Sequence, residues 1–162
     1  MSKLKLMGKN HSDELYTPEY AFEYLAKYIP KDKKVLECSV GTGKLKKHIE
    51  SKGIKTIGST DFFNEKRKDY DIIISNPPYS KKDEFLEECY RIGKPFALLL
   101  PINAFEGKRR HKLYRKYGIQ VLLPNKRIDF NGKKSPWFYT AWFCWRILPR
   151  DIMFTDEQEA GL

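Results

Sequence analysis

Asp71-Ile72-Ile73-Ile74-Ser75-Asn76-Pro77-Pro78-Tyr79 is the segment from which the architecture can be deduced most directly. Its first half is a continuous β-branched run, which is typical of a strand buried on both faces of a sheet. Two prolines cannot continue a central strand, so the chain must leave the sheet directly after Asn76. Open α/β sheets bind ligands at the carboxyl ends of their strands. We therefore predict that Asn76–Tyr79 forms a loop at the ligand-binding edge.

The groups of this loop suit an amino substrate. The amide oxygen of Asn76 and the carbonyl of Pro77 can accept the two hydrogens of an NH₂ group and direct its lone pair at an electrophile. The ring of Tyr79 offers a flat face to a planar substrate. The alternative is a Pro-rich loop with a turn-forming Asn. We predict that Asn76, Pro77, Pro78 and Tyr79 are the catalytic residues.

A glycine turn precedes this loop: Glu37-Cys38-Ser39-Val40-Gly41-Thr42-Gly43. It leaves a predicted strand at residues 35–38 and enters a predicted helix at residues 45–53. Glycines permit a sharp turn and a close approach to a ligand, and a helix N-terminus presents amide hydrogens to a negative group. Glu37 can accept hydrogen bonds from a cationic group of the same ligand. A purely structural tight turn remains the alternative.

An acidic residue, Asp61, follows the next predicted strand at residues 54–57. Dinucleotide-binding folds place an acid about 20 residues after the glycine turn, where it binds ribose hydroxyls. The alternative is a turn-forming Asp within Ser59-Thr60-Asp61.

The rest of the chain alternates between helix and strand patterns. The first predicted helix has Thr17 as its N-cap and Pro18 as its first residue, and Pro30 ends it. Two further helices are predicted, one from the apolar stripe at 85–92 and one at 108–117. Further strands are predicted at 96–100, 119–123 and 140–148. Strands separated by helices predict an α/β fold in one domain, with a mostly parallel, doubly wound sheet. The dense apolar run 142–145 should lie in the core or across an interface.

Composition favours a single basic globular domain. The chain has 162 residues, is 41% apolar and carries a formal net charge of +10. Such a surplus suits a polyanionic partner, although it also serves solubility. The cations we predict to contact nucleic-acid phosphates are Lys108, Arg109, Arg110, Lys112, Arg115, Arg127, Lys133 and Lys134. For the helical group among them, an ordinary solvated face is the alternative. Phe130 and Trp137 are candidates to flank a target base, with core packing as the alternative.

The compartment is expected to be cytoplasmic, in the bacterial host cell if the protein is phage-encoded. The basic N-terminus has no signal-peptide apolar stretch, and no run approaches the length of a membrane helix. Cys38, Cys89 and Cys144 lack metal-ligand spacing, and their odd number fits a reducing compartment. We expect no metal site and no membrane partner.

Together, the two motifs resemble those of the amino-group methyltransferases, in which Glu-x-x-x-Gly-x-Gly precedes a strand that ends in Asn-Pro-Pro-Tyr. Those enzymes share the Rossmann-like class I fold and use S-adenosylmethionine. Within them, the chain is most similar to small phage-type DNA adenine-N6 methyltransferases. Tyr16-Thr17-Pro18 resembles their N-terminal cofactor motif, and Asp61-Phe62-Phe63 resembles their Asp-Phe-Leu segment. The resemblance extends over roughly residues 15–148.

The resemblance implies a reaction, a cofactor and a domain division. The reaction is methylation of the exocyclic amino group of adenine in DNA, on a base flipped out of the duplex. The methyltransferase domain would span residues 15–150, after an extension 1–14 and before a tail 151–162. The residues expected to bind S-adenosylmethionine are Tyr16, Thr17, Pro18, Glu37, Cys38, Ser39, Gly41, Gly43, Asp61 and Phe62.

Two departures from the family pattern matter. The family usually fits another strand between its ribose-binding acid and the catalytic loop, and the stretch from Asp61 to Asn76 is short for that. Asp61 can therefore be the acid that binds the cofactor's ribose, or the later acid that contacts the cofactor's adenine. One of these two roles can be missing, or Asp71 can fill it. The chain also lacks a recognisable target-recognition domain.

Other activities remain open at this point. The same tetrapeptide occurs in enzymes that methylate guanine in RNA or glutamine in release factors. A non-catalytic module that binds S-adenosylmethionine or nucleic acid is a further alternative, motivated by the short stretch after Asp61.

Overall fold

A seven-stranded sheet forms the centre of the protein, as seen in a computed structural model that describes residues 17–130 and 138–155. The spatial order of the strands is β2-β1-β3-β4-β6-β5-β7. Among the described strands, β6 alone runs antiparallel to its two neighbours, and the other pairings are parallel. The strands are β1 Val35–Glu37, β2 Thr56–Gly58, β3 Ile72–Ser75, β4 Phe96–Pro101, β5 Gln120–Leu123, β6 Thr140–Trp145 and β7 Ile152–Phe154. The predicted mostly parallel sheet is confirmed.

In the part of the chain that the structure describes, two pairs of helices cover the two faces of this sheet. The helices are α1 Glu19–Ala26, α2 Lys44–Ser51, α3 Lys82–Ile92 and α4 Lys108–Tyr117. Apolar side chains of α1 and α2 pack with Ile72 and Ile74 in one core cluster. Those of α3 and α4 pack with Ile73 in a second cluster on the opposite face. Because successive strand residues point to opposite faces, one run of isoleucines supplies both clusters, and the sheet is doubly wound as predicted.

The apolar run on β6 lies inside the molecule. Trp142 is fully buried on the α1 side, and its indole nitrogen donates a hydrogen bond to the carbonyl of Ala21 at 2.8 Å. Phe143 is fully buried on the α3 side. Of the two expected locations, core and interface, the structure has the core.

The start of α1 differs from the prediction. The helix begins at Glu19 with Pro18 at the N-cap position, and no side chain caps it. Thr17 is not the cap, because its hydroxyl accepts a hydrogen bond from the side chain of Asn76 instead. The helix also ends earlier than predicted, at Ala26, and two tight turns carry the chain on toward Pro30.

The segment between β2 and β3 contains no strand. Its one regular element is a short 3₁₀ turn at Phe62–Asn64. Within the described residues β2 therefore pairs only with β1 and forms one edge of the sheet. The short stretch noted in the sequence thus leaves out a strand that the amino-group methyltransferases usually have.

The strand at the opposite edge of the sheet, β7, was not predicted from the sequence. β7 falls in the segment 151–162, which the sequence predicted to be a tail, and it pairs in parallel with β5. In the part of the chain that the structure describes, no helix is long and apolar enough to cross a membrane.

Candidate active site

The glycine turn and the Asn-Pro-Pro-Tyr loop leave the sheet side by side. They follow β1 and β3, which are parallel neighbours with Leu36 opposite Ile73. Both segments therefore emerge at the same carboxyl edge. This is the arrangement that the order of the motifs predicted.

Glu37 is the buried acid of this edge, with only 1% of its surface exposed. One carboxylate oxygen accepts a hydrogen bond from the backbone nitrogen of Ser39 at 2.9 Å and another from the hydroxyl of Ser75. Burial raises the pKa of Glu37 to about 7, although both hydrogen bonds act in the opposite direction. A cationic group next to this buried carboxyl would favour its ionised form and offset the cost of burial.

Ser75 was missed by the sequence reasoning. It is fully buried at the end of β3, and its hydroxyl links the catalytic loop to the acid of the glycine turn. A sequence clue existed, since Ser75 is the one polar residue that ends an isoleucine run directly before Asn76. A buried hydroxyl needs a hydrogen-bond partner, and the neighbouring strand end is where such a partner lies.

The glycine turn is held tightly against the end of β2. Val40 donates its backbone N–H to the carbonyl of Ser59 at 3.1 Å, and Ser59 donates to the carbonyl of Glu37 at 2.9 Å. Gly43 caps α2 with φ at +82°, a left-handed conformation that favours glycine. Gly58 is required for another reason, because a Cβ there would lie 2.7 Å from a methyl carbon of Val40.

Asn76 is held in one orientation. Its side-chain nitrogen donates to the hydroxyl of Thr17 at 3.1 Å, and the carbonyl of Thr17 accepts a hydrogen bond from Nε2 of His48 at 3.2 Å. The other end of the amide, Oδ1, is buried and has no partner within the described residues. A buried acceptor without a partner costs roughly 1–3 kcal/mol, so this oxygen is suited to an incoming N–H donor.

Pro77 and Tyr79 complete the loop. Pro77 is buried, and its carbonyl accepts no hydrogen bond within residues 17–130 and 138–155. The hydroxyl of Tyr79 is likewise buried without a partner in that part of the chain, and burial raises its pKa. Three polar groups of one loop are therefore available to a ligand.

Two further aromatic side chains form a series of ring contacts with Tyr79. Phe138 meets Tyr79 edge-on, with ring centroids 5.9 Å apart, and stacks on Phe130 at 6.1 Å with an 8° angle between the planes. Phe130 belongs to the core cluster of the α1 face, so it reaches Tyr79 through Phe138. Phe138 was not predicted, because nothing in the sequence places it beside a loop that lies far away along the chain.

The remaining predicted cofactor residues differ in their surroundings. Asp61 is exposed and accepts a hydrogen bond from the side chain of Asn64 at 2.7 Å. Phe62 is buried and stacks on Phe85 of α3, with centroids 5.4 Å apart. The thiol of Cys38 is buried in the core cluster of the same face, where burial raises its pKa, so only its backbone can serve a ligand.

Asp71 cannot replace a missing cofactor acid. It lies just before β3, at the amino edge of the sheet, and its carboxylate accepts the backbone N–H of Lys34 at 2.9 Å. The suggestion that Asp71 fills this role is therefore wrong, because the strand separates it from the carboxyl edge.

The basic helix α4 matches its predicted bounds, but two of its arginines are paired. Arg110 donates to Asp83 at 2.6 Å, and Arg109 pairs with Glu87 and more loosely with Glu84 at 3.7 Å. These acids lie on α3, so the pairs join the two helices. The exposed cations Lys108, Lys112 and Arg115 have no acidic partner within the described ranges, and Arg127 is also exposed. Tyr16, Lys133, Lys134 and Trp137 lie outside the described residues.

Comparison with known proteins gives similarity in structure but not in sequence. No family model matches the chain, and no curated protein matches it. A Listeria monocytogenes protein described as a class I S-adenosylmethionine-dependent methyltransferase has a TM-score of 0.61 at 16% identity. That match covers 98% of this chain and 74% of the other. A Pyrococcus horikoshii protein described as an RNA methyltransferase has a TM-score of 0.55 at 18% identity, covering 77% and 81% of the two chains.

A third solved structure is the modification subunit of a type I restriction enzyme, as it is described, from Vibrio vulnificus. Its TM-score is 0.54 at 13% identity, and the match covers 87% of this chain but 46% of the subunit. At such identities the shared feature is the fold. The chain therefore has the Rossmann-like fold of the class I methyltransferases.

Proposed function

We propose that this protein is an S-adenosylmethionine-dependent methyltransferase that acts on the exocyclic amino group of adenine in DNA. The observation that carries the proposal is the orientation of Asn76. Thr17 takes up its amide nitrogen, which leaves a buried amide oxygen at the carboxyl edge with no partner in the described structure. Such an acceptor suits the N–H of a substrate amine.

The residues around the glycine turn fit the cofactor. Glu37 is a buried acid with a raised pKa, and an ammonium group beside it would stabilise its ionised form. Gly41 and Gly43 both adopt positive φ, so the backbone there is open to close approach. When bound, S-adenosylmethionine supplies an electrophilic methyl group on a sulfonium. We assign its binding to this turn together with Pro18, Asp61, Phe62 and the backbone of Thr17, whose side-chain hydroxyl is engaged by Asn76.

The loop residues perform the chemistry mainly by positioning. Asn76 Oδ1 and the Pro77 carbonyl accept the two hydrogens of the amine, which fixes the direction of its lone pair. Both acceptors bind more strongly as the nitrogen becomes positively charged, so they stabilise the transition state more than the ground state. Tyr79 offers its ring to the face of the flipped base and excludes water from it.

Nucleic acid is the substrate class best supported by charge. The net charge of +10 suits a polyanion, and we assign phosphate contacts to Lys108, Lys112 and Arg115 of α4. DNA is favoured by the resemblance of the motifs, and the fold is shared with a protein described as a restriction-enzyme modification subunit. RNA is a second candidate, because the fold is also shared with the protein described as an RNA methyltransferase.

A transfer assay separates these candidates. The protein is incubated with methyl-labelled S-adenosylmethionine and, in separate reactions, with unmethylated DNA, tRNA and ribosomal fractions. The products are digested and chromatographed to identify the labelled base. We expect label in DNA, as N6-methyladenine. Label found only in RNA or only in protein contradicts the DNA assignment.

The assay also tests whether the protein is an enzyme. Cofactor binding is measured in parallel by calorimetry, using the same preparation. Cofactor binding without label transfer to any of the three substrates would indicate a non-catalytic binding module.

A further inference from the structure

We infer that a lysine-lined cleft along α1 binds the phosphate backbone of the nucleic-acid substrate; this inference rests on the proposed function. The cleft has a volume of about 720 Å³, and its lining includes Tyr20, Glu23, Lys27, Lys31, Lys52 and Lys126. We call it the α1 cleft. None of these residues was assigned to a site from the sequence.

The α1 cleft has an excess of positive charge. Its lining holds four lysines and one glutamate, and that glutamate, Glu23, is paired with Lys52. Lys31 and Lys126 form no ion pair within the residues that the structure describes. Unpaired lysines on a concave surface suit an extended anion such as a phosphodiester chain.

A second groove, on the opposite face of the sheet, lacks the excess of positive charge found in the α1 cleft. That groove lies between α3 and α4 and has a similar volume of about 630 Å³. Its lining holds three cations and three acids, and Arg91 pairs with Glu88 and Arg109 with Glu87. This groove is therefore close to neutral, whereas the α1 cleft has a net positive charge.

The α1 cleft adjoins the catalytic loop along a continuous set of contacts. Lys126 lies over the ring of Tyr20 at 5.7 Å, and the hydroxyl of Tyr20 accepts the backbone N–H of Asp129 at 2.8 Å. The next residue, Phe130, stacks on Phe138, which meets the ring of Tyr79. A DNA strand with one base against the ring of Tyr79 can therefore pass over residues 126–130 and place its phosphates in the α1 cleft.

The test is DNA binding without cofactor, measured by fluorescence anisotropy with a labelled oligonucleotide over a range of salt concentrations. The variant Lys31→Gln/Lys126→Gln removes two charges. We expect binding at least about tenfold weaker near 0.1 M salt. We also expect the slope of log K against log salt to decrease by about 1.4–1.8, since each phosphate contact contributes roughly 0.7–0.9. Lys31→Arg/Lys126→Arg should bind like the wild type.

The control for loss of an exposed charge elsewhere is Arg150→Gln, which removes one cation from the loop between β6 and β7. It should leave binding unchanged, and thermal melting of every variant checks folding. If Lys31→Gln/Lys126→Gln binds as well as Arg150→Gln while the wild type binds and methylates DNA, the cleft inference alone is overturned. A wild type that binds no DNA overturns the DNA part of the proposed function as well.

Discussion

Thr17 forms a hydrogen bond with one end of the Asn76 amide and leaves the other end for a substrate. The terminal torsion of an asparagine is broad and roughly two-fold, so the amide has little intrinsic preference between its two orientations. In the structure the hydroxyl of Thr17 accepts a hydrogen bond from Nδ2 at 3.1 Å, and Oδ1 is left buried without a partner among the described residues. His48 in turn holds the backbone of Thr17. We therefore regard Thr17 as a positioning residue for Asn76.

Replacing Thr17 by Val tests this role, because Val keeps the shape and removes the hydrogen bond. We expect kcat to fall roughly tenfold, the effect of losing about 1.4 kcal/mol of transition-state stabilisation, while the Kd for S-adenosylmethionine changes less than about threefold. Thr17→Ser retains a hydroxyl and should restore most of the turnover. Steady-state kinetics and calorimetry measure the two quantities. A Val variant as active as the wild type contradicts the role.

Glu37 should make the stability of the cofactor-free protein depend on pH. Its pKa is raised from 4.5 to about 7 on folding, so between these values the folded state binds more protons than the unfolded state. Stability from this group therefore falls as pH rises through that window. Glu37→Gln keeps an oxygen acceptor for Ser39 and Ser75 but does not ionise. Relative to the wild type, it should gain about 2 kcal/mol between pH 5.5 and 7.5.

Denaturant unfolding of both proteins at the two pH values measures this difference. Because all other titrating groups are shared, they cancel in the comparison. A gap between wild type and variant that is the same at pH 5.5 and 7.5 contradicts the assigned state of Glu37.

The motif residues could be identified from the sequence, but their partners could not. Asn76 and Glu37 stand in short local patterns that require particular residue types at fixed spacing. The hydrogen bond from Asn76 to Thr17 and the ring contact from Tyr79 to Phe138 join segments that are far apart along the chain. Such contacts depend on how the helices pack on the sheet, which a local pattern does not encode.

At the scale of elements, the end of β2 packs closely against the glycine turn. Gly58→Ala would place a Cβ 2.7 Å from the Cγ2 atom of Val40, and 3.1 Å from its Cβ. We expect the variant to lose about 1–3 kcal/mol of stability, as is usual for overpacking, and to bind S-adenosylmethionine more weakly because the turn must move. Thermal unfolding and calorimetry provide the two measurements.

A double-mutant cycle assigns that loss to the contact. Val40→Ala removes the closest methyl carbon, so Gly58→Ala should cost less in that background than in the wild type. Equal costs in both backgrounds would show that the strain lies elsewhere.

Elements with strong local patterns matched the structure best. The helix predicted at 108–117 coincides with α4, which glycines bound on both sides. The prediction for β2 was two residues too early at its start, because Ile54 is apolar and buried although it lies outside the strand. β7 was missed because it has only three residues. Ile152 and Phe154 are 63% and 72% exposed and only Met153 packs against the core, so no alternating pattern marks the strand in the sequence.

For the molecule as a whole, the fold class followed from the order of elements, whereas the distribution of charge did not. The sequence concentrates cations on α4, yet Arg109 and Arg110 are paired with acids of α3. The α1 cleft is a positively charged concave surface whose lysines come from three separate segments of the chain. Clusters along the chain and clusters in space therefore differ, and the proposed DNA contacts use both the unpaired cations of α4 and the lysines of the α1 cleft.

The most direct test of the central claim, amino methylation by the Asn76 loop, is to measure transfer and cofactor binding on the same Asn76→Ala preparation. The variant removes the open acceptor and leaves the glycine turn intact. We predict that methyl transfer to DNA falls by at least about a hundredfold, as for loss of a positioned transition-state acceptor. We also predict that the Kd for S-adenosylmethionine stays within about threefold of the wild type, since Asn76 contributes no cofactor contact in this account. Undiminished turnover by Asn76→Ala would contradict the proposed mechanism.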